Sequence, residues 1–296
     1  MHSVLEALSR ELADLVARAL PSTVTISGET ADLSGGGSGS GWVFDQAGHV
    51  VTNFHVVKEL AGSIKVRPAG APPLTGEVIG HDRETDLAVL RLANLTLPPL
   101  QLRSEPARLG EICVAIGSPM GLRESASFGI VSGLSRQSKH PDGFLMEEML
   151  QTDASINPGN SGGPLLDARG CLLGVNTLGS GETVNFAVPT EIVAVIVPEL
   201  IRHGAIRRAT LGVTVSAQWT PINGEQQSLV QIRTVKQQDS PLRAGDVLLQ
   251  IGSTPIRRRV DIKHALNRDC IDRPVRILVL REGETVNLDV IAKEKT

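Results

Sequence analysis

Tyrosine is absent from this chain, and aromatic residues amount to only 2% of its 296 positions. A core made from such a composition has to rest on Val, Leu, Ile and Ala. Cysteine is scarce as well: Cys113, Cys171 and Cys270 lie far apart, match no metal-ligand spacing and are too few and too odd in number for a disulfide framework. Cys113 and Cys171 fall in apolar, strand-like runs and read as small core residues. Excess charge is lacking too, since a formal net charge of −3 argues against a broad nucleic-acid footprint. No apolar run approaches the roughly 20 residues needed to span a bilayer. The first residues also lack the basic, apolar, small-residue order of an export signal. From these two absences the protein is expected to be cytosolic if the chain is complete, or to have lost an export segment.

What is present is ordinary in amount and specific in arrangement. Apolar residues make up 41% of a chain long enough for two domains. "SVLEALSRELADLVARAL" places Leu5, Leu8, Leu12, Leu15 and Val16 at helical spacing, with Ser3 as N-cap, Glu6 three residues on and Pro21 as terminator. Beyond it the texture changes to short apolar runs broken by turn residues: "TVTIS", "GWVF", "HVVTN", "SIKVRP", "GEVIG", "DLAVLRL", "EICVAIG", "FGIVSGL", "CLLGVNT" and "VNFAV". Many short strands with frequent turns predict an all-β barrel or sandwich. A helix over Thr190–His203, containing Pro198 and capped by Gly204, closes this region. "AIRRA" reads as a linker, and a second strand-rich module with a helix near Val260–Asn267 begins at Thr210. The expected division is therefore 1–20, 21–204, 205–209 and 210–296.

Two glycine-rich stretches invite a chemical reading. "GGGSGSG" (Gly35–Gly41) lacks the Gly-Lys-Ser/Thr ending of a phosphate loop and precedes a strand, so it reads as an entry loop. "INPGNSGGPLL" (Ile156–Leu166) instead surrounds Ser161 with Gly159, Gly162 and Gly163, as if something must approach the main chain itself. An α/β-hydrolase elbow would put a helix after this serine and its Asp and His later in the chain. Here a strand, a turn and another strand follow. The other order, His then Asp then Ser on a β scaffold, requires partners upstream. His55 in "VTNFHVV" and Asp86 in "DRETDLAVL" meet that requirement, each beside a strand end. His2, His49, His81, His140, His203 and His264 have no comparable setting, and no pair of them sits at metal-ligand spacing. Neither a metal nor another cofactor is expected.

"TNFHVV", "TDLAVL" and "NPGNSGGPL" resemble the trypsin-like serine proteases of the HtrA (Deg) family, and the likeness covers nearly the whole chain. It implies a trypsin-like double β-barrel at 21–204 with a small α+β PDZ-like module at 210–296. It makes His55 the general base, Asp86 its orienting carboxylate and Ser161 the nucleophile, with the N–H groups of Gly159 and Ser161 as oxyanion hole. Where trypsin has an Asp for basic substrates, this chain has Ser155. Ile156, Leu178, Val184, Asn185 and Phe186 would wall an apolar slot for a small aliphatic residue. Asn160, where trypsin-like zymogens carry an Asp, cannot ion-pair with a freshly cut N-terminus, which argues against activation by clipping. The loops "SPMGLRESA", "SRQSKHPDGF" and "TLGSGET" are the expected regulated parts instead. In the second module Thr210, Leu211, Gly212 and Val213 resemble the carboxylate-capping loop and strand of a PDZ domain. Its "SPLRAGD" segment is shorter than the family's, which leaves groove closure open.

The resemblance thus implies an ATP-independent endopeptidase for unfolded or damaged proteins, regulated or fed by peptide C-termini and assembled as a homotrimer. It also implies a periplasmic or other extracytoplasmic setting if a signal has been removed. A chaperone or peptide-binding scaffold with a mostly silent protease is the alternative. A serine esterase is weaker, because a PDZ-like module implies peptide ligands.

Overall fold

The computed structural model describes residues 3–28, 38–60, 63–118, 124–140, 143–179, 184–222, 225–237 and 239–295. Parts of the three loops expected to be regulated (119–123, 141–142 and 180–183) and of the glycine entry loop (35–37) lie outside the described residues, as does the side chain of Leu178. The chain divides into two compact units, Met1–Ala205 and Ile206–Thr296.

The first unit opens with helix α1 (Val4–Ala19), started by the expected capping box: the Glu6 amide donates to Ser3 Oγ (3.1 Å) and the Ser3 amide to Glu6 Oε2 (2.8 Å). Two closed barrels follow. β1 (Thr23–Ser27), β2 (Ser38–Val43), β3 (His49–Asn53), β4 (Ile64–Pro68), β5 (Leu74–Asp82) and β6 (Leu87–Leu92) close in the order β1-β2-β3-β6-β5-β4. The second barrel repeats that order one level on. β7 (Ile112–Gly117), β8 (Ser125–Lys139), β9 (Leu145–Thr152), β10 (Pro164–Asp167), β11 (Leu172–Gly179) and β12 (Asn185–Pro189) run β10-β11-β12-β9-β8-β7. Each barrel fills its interior with aliphatic side chains, Val24, Ile26, Val50, Val66 and Leu90 in the first and Val131, Leu150, Leu165 and Leu173 in the second. Closure leaves neither sheet an open edge.

Helix α2 (Phe54–Glu59) is a short turn inserted directly after β3, and α3 (Thr190–His203) packs across β5, β6, β11 and β12. Pro198 lies within α3 as expected, and Gly204 ends it in the left-handed region at φ +72°. Cys113 is fully buried and bonds Thr152 Oγ1 at 3.0 Å; burial pushes its thiol up to about 11, which makes it a core residue rather than a reactive one.

In the second unit β14 (Val213–Ile222), β15 (Glu225–Val235), β16 (Val247–Ile251), β18 (Pro274–Arg281) and β19 (Glu284–Ile291) form one antiparallel path. β17 (Thr254–Pro255) pairs with β16, and β13 (Ala209–Thr210) pairs with β20 (Lys293–Glu294). Helix α4 (Arg259–Ala265) packs beside β14, the edge strand of the path. The shortened "SPLRAGD" segment closes by burying Leu242 in the core and by a bidentate pair, Arg281 Nε and a terminal nitrogen on the two Asp246 oxygens at 2.8 Å each. Burial alone would raise the Asp246 carboxyl, but the hydrogen bonds and charge of Arg281 overcome it and hold the group below its usual value.

Candidate active site

Register, rather than proximity in sequence, brings His55 to Asp86. β3 pairs with β6 so that Asn53 faces Leu87, which sets the residues just beyond these strand ends side by side. Asp86 sits at φ +55°, a region that Asp tolerates better than most residues. From there it uses both of its polar ends. Its carbonyl accepts the Phe54 amide at 3.0 Å and Asn53 Nδ2 at 2.9 Å. Its carboxylate, fully buried, accepts the His55 amide at 2.9 Å, lies 2.7 Å from His55 Nδ1 and accepts Thr177 Oγ1 at 2.5 Å. With Nδ1 facing that carboxylate, His55 carries its proton there and keeps Nε2 as the basic nitrogen.

The serine arrives from the second barrel. Gly159 (φ +103°) and Gly162 (φ +83°) flank it in conformations that L side chains rarely adopt. A Cβ on Gly162 would collide with Ser40 O and Thr52 Oγ1, and one on Gly163 with Ile116 O, so this turn has no room for anything but glycine. Ser40 fastens the turn to the first barrel. Its amide donates to Ser161 O (2.8 Å), its hydroxyl donates to Gly159 O (2.6 Å) and accepts the Ser118 amide (2.9 Å), and its carbonyl accepts Thr52 Oγ1 (2.7 Å). Among the described residues the Gly159 and Ser161 amides donate to no other group. The Ser161 hydroxyl donates to the Thr177 carbonyl at 3.0 Å. Thr177 therefore holds Ser161 with its carbonyl and the Asp86 carboxylate with its hydroxyl.

Sequence reasoning missed three of these neighbours. Ser40 falls in the glycine-rich stretch expected to be an entry loop and Thr177 at the start of "TLGSGET", but the structure places them in β2 and β11, where they make contacts across the two barrels. His140 has no distinguishing sequence setting, yet the fold buries it (4% exposed) beside His55, ring centroids 5.5 Å apart. It stacks on Phe144 at 4.3 Å, and Arg83 lies 5.4 Å from the Phe144 ring centre. The expectation that His140 is unremarkable is therefore corrected: the β8–β9 connection carries it into the site.

The other expected residues fall as follows. Ser155 is exposed, and its carbonyl accepts Ser127 Oγ at 2.7 Å. Ile156 packs in the second-barrel core, Asn185 is buried with Nδ2 donating to Ala154 O (3.0 Å), Phe186 is buried, and Val184 is half-buried. Leu178 is placed opposite Phe186 by the β11–β12 register. In the second unit Gly212 takes φ +67°, its amide donates to Thr210 Oγ1 (3.1 Å), its carbonyl accepts the Lys236 amide (2.7 Å), and the Leu211 side chain is core. Val213 begins the edge strand β14.

Two six-stranded barrels with a histidine, an aspartate and a glycine-bracketed serine meeting between them define a trypsin-type peptidase scaffold. Residues 39–175 match the trypsin-like peptidase domain and residues 209–291 the PDZ domain. The chloroplastic Protease Do-like 1 of Arabidopsis thaliana is 32% identical over 88% of this chain and 64% of its own length. The periplasmic serine endoprotease DegP of Salmonella typhimurium is 32% identical over 85% of this chain and 56% of its own. The chain thus spans about half to two thirds of the length of these curated relatives. The solved structure of the HtrA-type protease AlgW with a tripeptide superposes with a TM-score of 0.76 at 32% identity, covering 96% of this chain and 97% of that one. The chain belongs to the HtrA (Deg) family. Among the described residues no helix is long and apolar enough to cross a membrane.

Proposed function

We propose that the protein is an ATP-independent serine endopeptidase acting on unfolded or damaged proteins. The observation that carries this reading is the Asp86 carboxylate, which orients His55 through two hydrogen bonds and reaches the Ser161 turn through Thr177. In the reaction, His55 Nε2 takes the Ser161 proton as Oγ attacks the scissile carbonyl, and Asp86 stabilises the imidazolium that forms. The Gly159 and Ser161 amides then receive the oxyanion, a contribution of about 10²–10³ in rate for each donor. The protonated histidine next passes its proton to the leaving amine, and a water repeats the cycle to release the acyl group.

Ser155, Ile156, Val184, Asn185 and Phe186 form the slot for the residue before the cut. With no charge among them, the slot favours Val, Ala or Ile over Arg or Lys, grading the aliphatic residues by about 1–3 kcal/mol per methylene-sized change. The edge of β14 beside α4 receives a peptide C-terminus as an added strand, with the Thr210–Val213 turn at its carboxylate. The exposed Val4, Leu5 and Leu8 of α1 support assembly as a homotrimer. The names of the relatives support a compartment outside the cytoplasm.

One observation favours the second reading, a peptide-binding scaffold with a quiet protease: the single proton of the Ser161 hydroxyl is given to Thr177, not to the imidazole. Casein digestion by the full chain and by Ser161→Ala separates the two. Fragments from the former and none from the latter are expected. Equal, negligible digestion by both, with casein aggregation suppressed, would favour the scaffold.

A further inference from the structure

His140 brings a third titratable side chain to a pair that needs only two. A ring nitrogen of His55, a carboxylate oxygen of Asp86 and a ring nitrogen of His140 lie within 4.8 Å of one another. Two imidazoles and a carboxylate are a donor set that suits Zn²⁺ and its neighbours, whereas Mg²⁺ and Ca²⁺ call for oxygen alone. The surroundings hold these donors in place. His140 stacks on Phe144, its amide donates to the Phe144 carbonyl at 2.8 Å, and the Gly143 amide donates back to the His140 carbonyl at 2.8 Å. Asp86 is fully buried, while the His55 side chain is 17% exposed, so an ion would enter past His55.

We infer that His55, Asp86 and His140 form an inhibitory site for a zinc-class divalent cation. Zinc holds nitrogen and oxygen ligands at about 2.0–2.2 Å, which puts tetrahedral ligand atoms roughly 3.5 Å apart. Asp86 and His55 are already closer than this, and His140 reaches the same distance by a side-chain shift on the order of 1 Å. A neutral imidazole has one lone pair and one N–H. A cation shared with Asp86 sits on Nδ1, the nitrogen that faces that carboxylate, and moves the ring proton to Nε2, which then donates and cannot accept. No proton is gained or lost, and the base is removed while metal stays bound. Loss of activity rests on the catalytic reading above; metal binding does not.

The test starts with chelator-stripped, full-length Ser161→Ala protein titrated with Co²⁺. Visible absorption of a tetrahedral nitrogen–oxygen site should appear, saturate at one ion per chain, and vanish on adding Zn²⁺ but not Mg²⁺ or Ca²⁺. His140→Phe keeps a ring against Phe144 but has no nitrogen donor, and should weaken Zn²⁺ by roughly tenfold or more. His140→Asn is measured beside it, and the variant whose thermal unfolding matches the parent is the one compared. In the active chain, Zn²⁺ should suppress fluorophosphonate labelling of Ser161, with the half-inhibiting concentration raised by the same factor in that variant, each judged against its own metal-free rate. Absence of the cobalt bands, or unchanged Zn²⁺ affinity without His140, overturns the proposal. If Ser161 resists the probe even without metal, the hydrolytic reading fails and the cobalt titration still decides the site.

Discussion

Thr177 shows how much of the site depends on residues without a motif. Its hydroxyl is the third donor to the Asp86 carboxylate, and a hydrogen bond to a charged group contributes about 1.5–3 kcal/mol. Thr177→Val keeps the volume and deletes the donor, so kcat/KM on a peptide substrate should drop about 10- to 100-fold, with a fall in Tm of several degrees. An unchanged kcat/KM would show that His55 and Asp86 align without it. Gly162→Ala is the harsher change. Its Cβ has no place between Ser40 O and Thr52 Oγ1, and φ +83° disfavours it further, so labelling of Ser161 should be lost together with a fall in Tm. The approach of His55 to Asp86 and the glycine-bound turn at Ser161 were legible in the sequence, because the order of these residues and their positions at strand ends can be read along the chain. Ser40, Thr177 and His140 were not, because each acts through a contact made only after the barrels close.

Among the elements, those with strong periodicity or capping chemistry were legible, α1 with its Ser3–Glu6 box and α3 with its Gly204 stop. β9 was not. Its inward Met146 and Met149 are three apart, a spacing a regular strand cannot bury on one face; Glu148 at φ +60° breaks the alternation and makes it possible. Charge pairing settles two further elements. At the start of β7, Arg103 bonds Glu111 at 2.8 and 3.1 Å and holds its carboxyl at about 2, against the usual 4.5. A carboxyl depressed in the folded state stabilises above its unfolded pKa and loses that contribution as pH falls through the folded one. The first unit should therefore lose stability between about pH 4.5 and 2, and Glu111→Gln should flatten that part of the Tm-against-pH curve. At the mouth of β16, Arg281→Met strands the buried Asp246 carboxylate and should destabilise the second unit by about 3–5 kcal/mol, read by denaturant unfolding. A smaller effect would mean that "SPLRAGD" closes through Leu242 alone.

For the whole molecule, the sequence marks a change of texture and a basic linker at 205–209, and the compact units meet at Ala205 and Ile206, whereas the compression of "SPLRAGD" gave no hint of the ion pair that closes it. Deleting Thr210–Thr296 should leave basal casein cleavage and abolish stimulation by a peptide with a free hydrophobic C-terminus. If the shortened chain still responds, the sensor lies elsewhere. Asp86 joins this scale to the smallest one. The residue that aims the imidazole also pins the β3–α2 junction through its carbonyl and occupies a left-handed position that few side chains accept. Ser161, in contrast, holds nothing up with its hydroxyl beyond one carbonyl. Descendants of this scaffold that abandon proteolysis should therefore shed the serine first and keep the aspartate, because losing it damages the fold whether or not the chemistry is still in use.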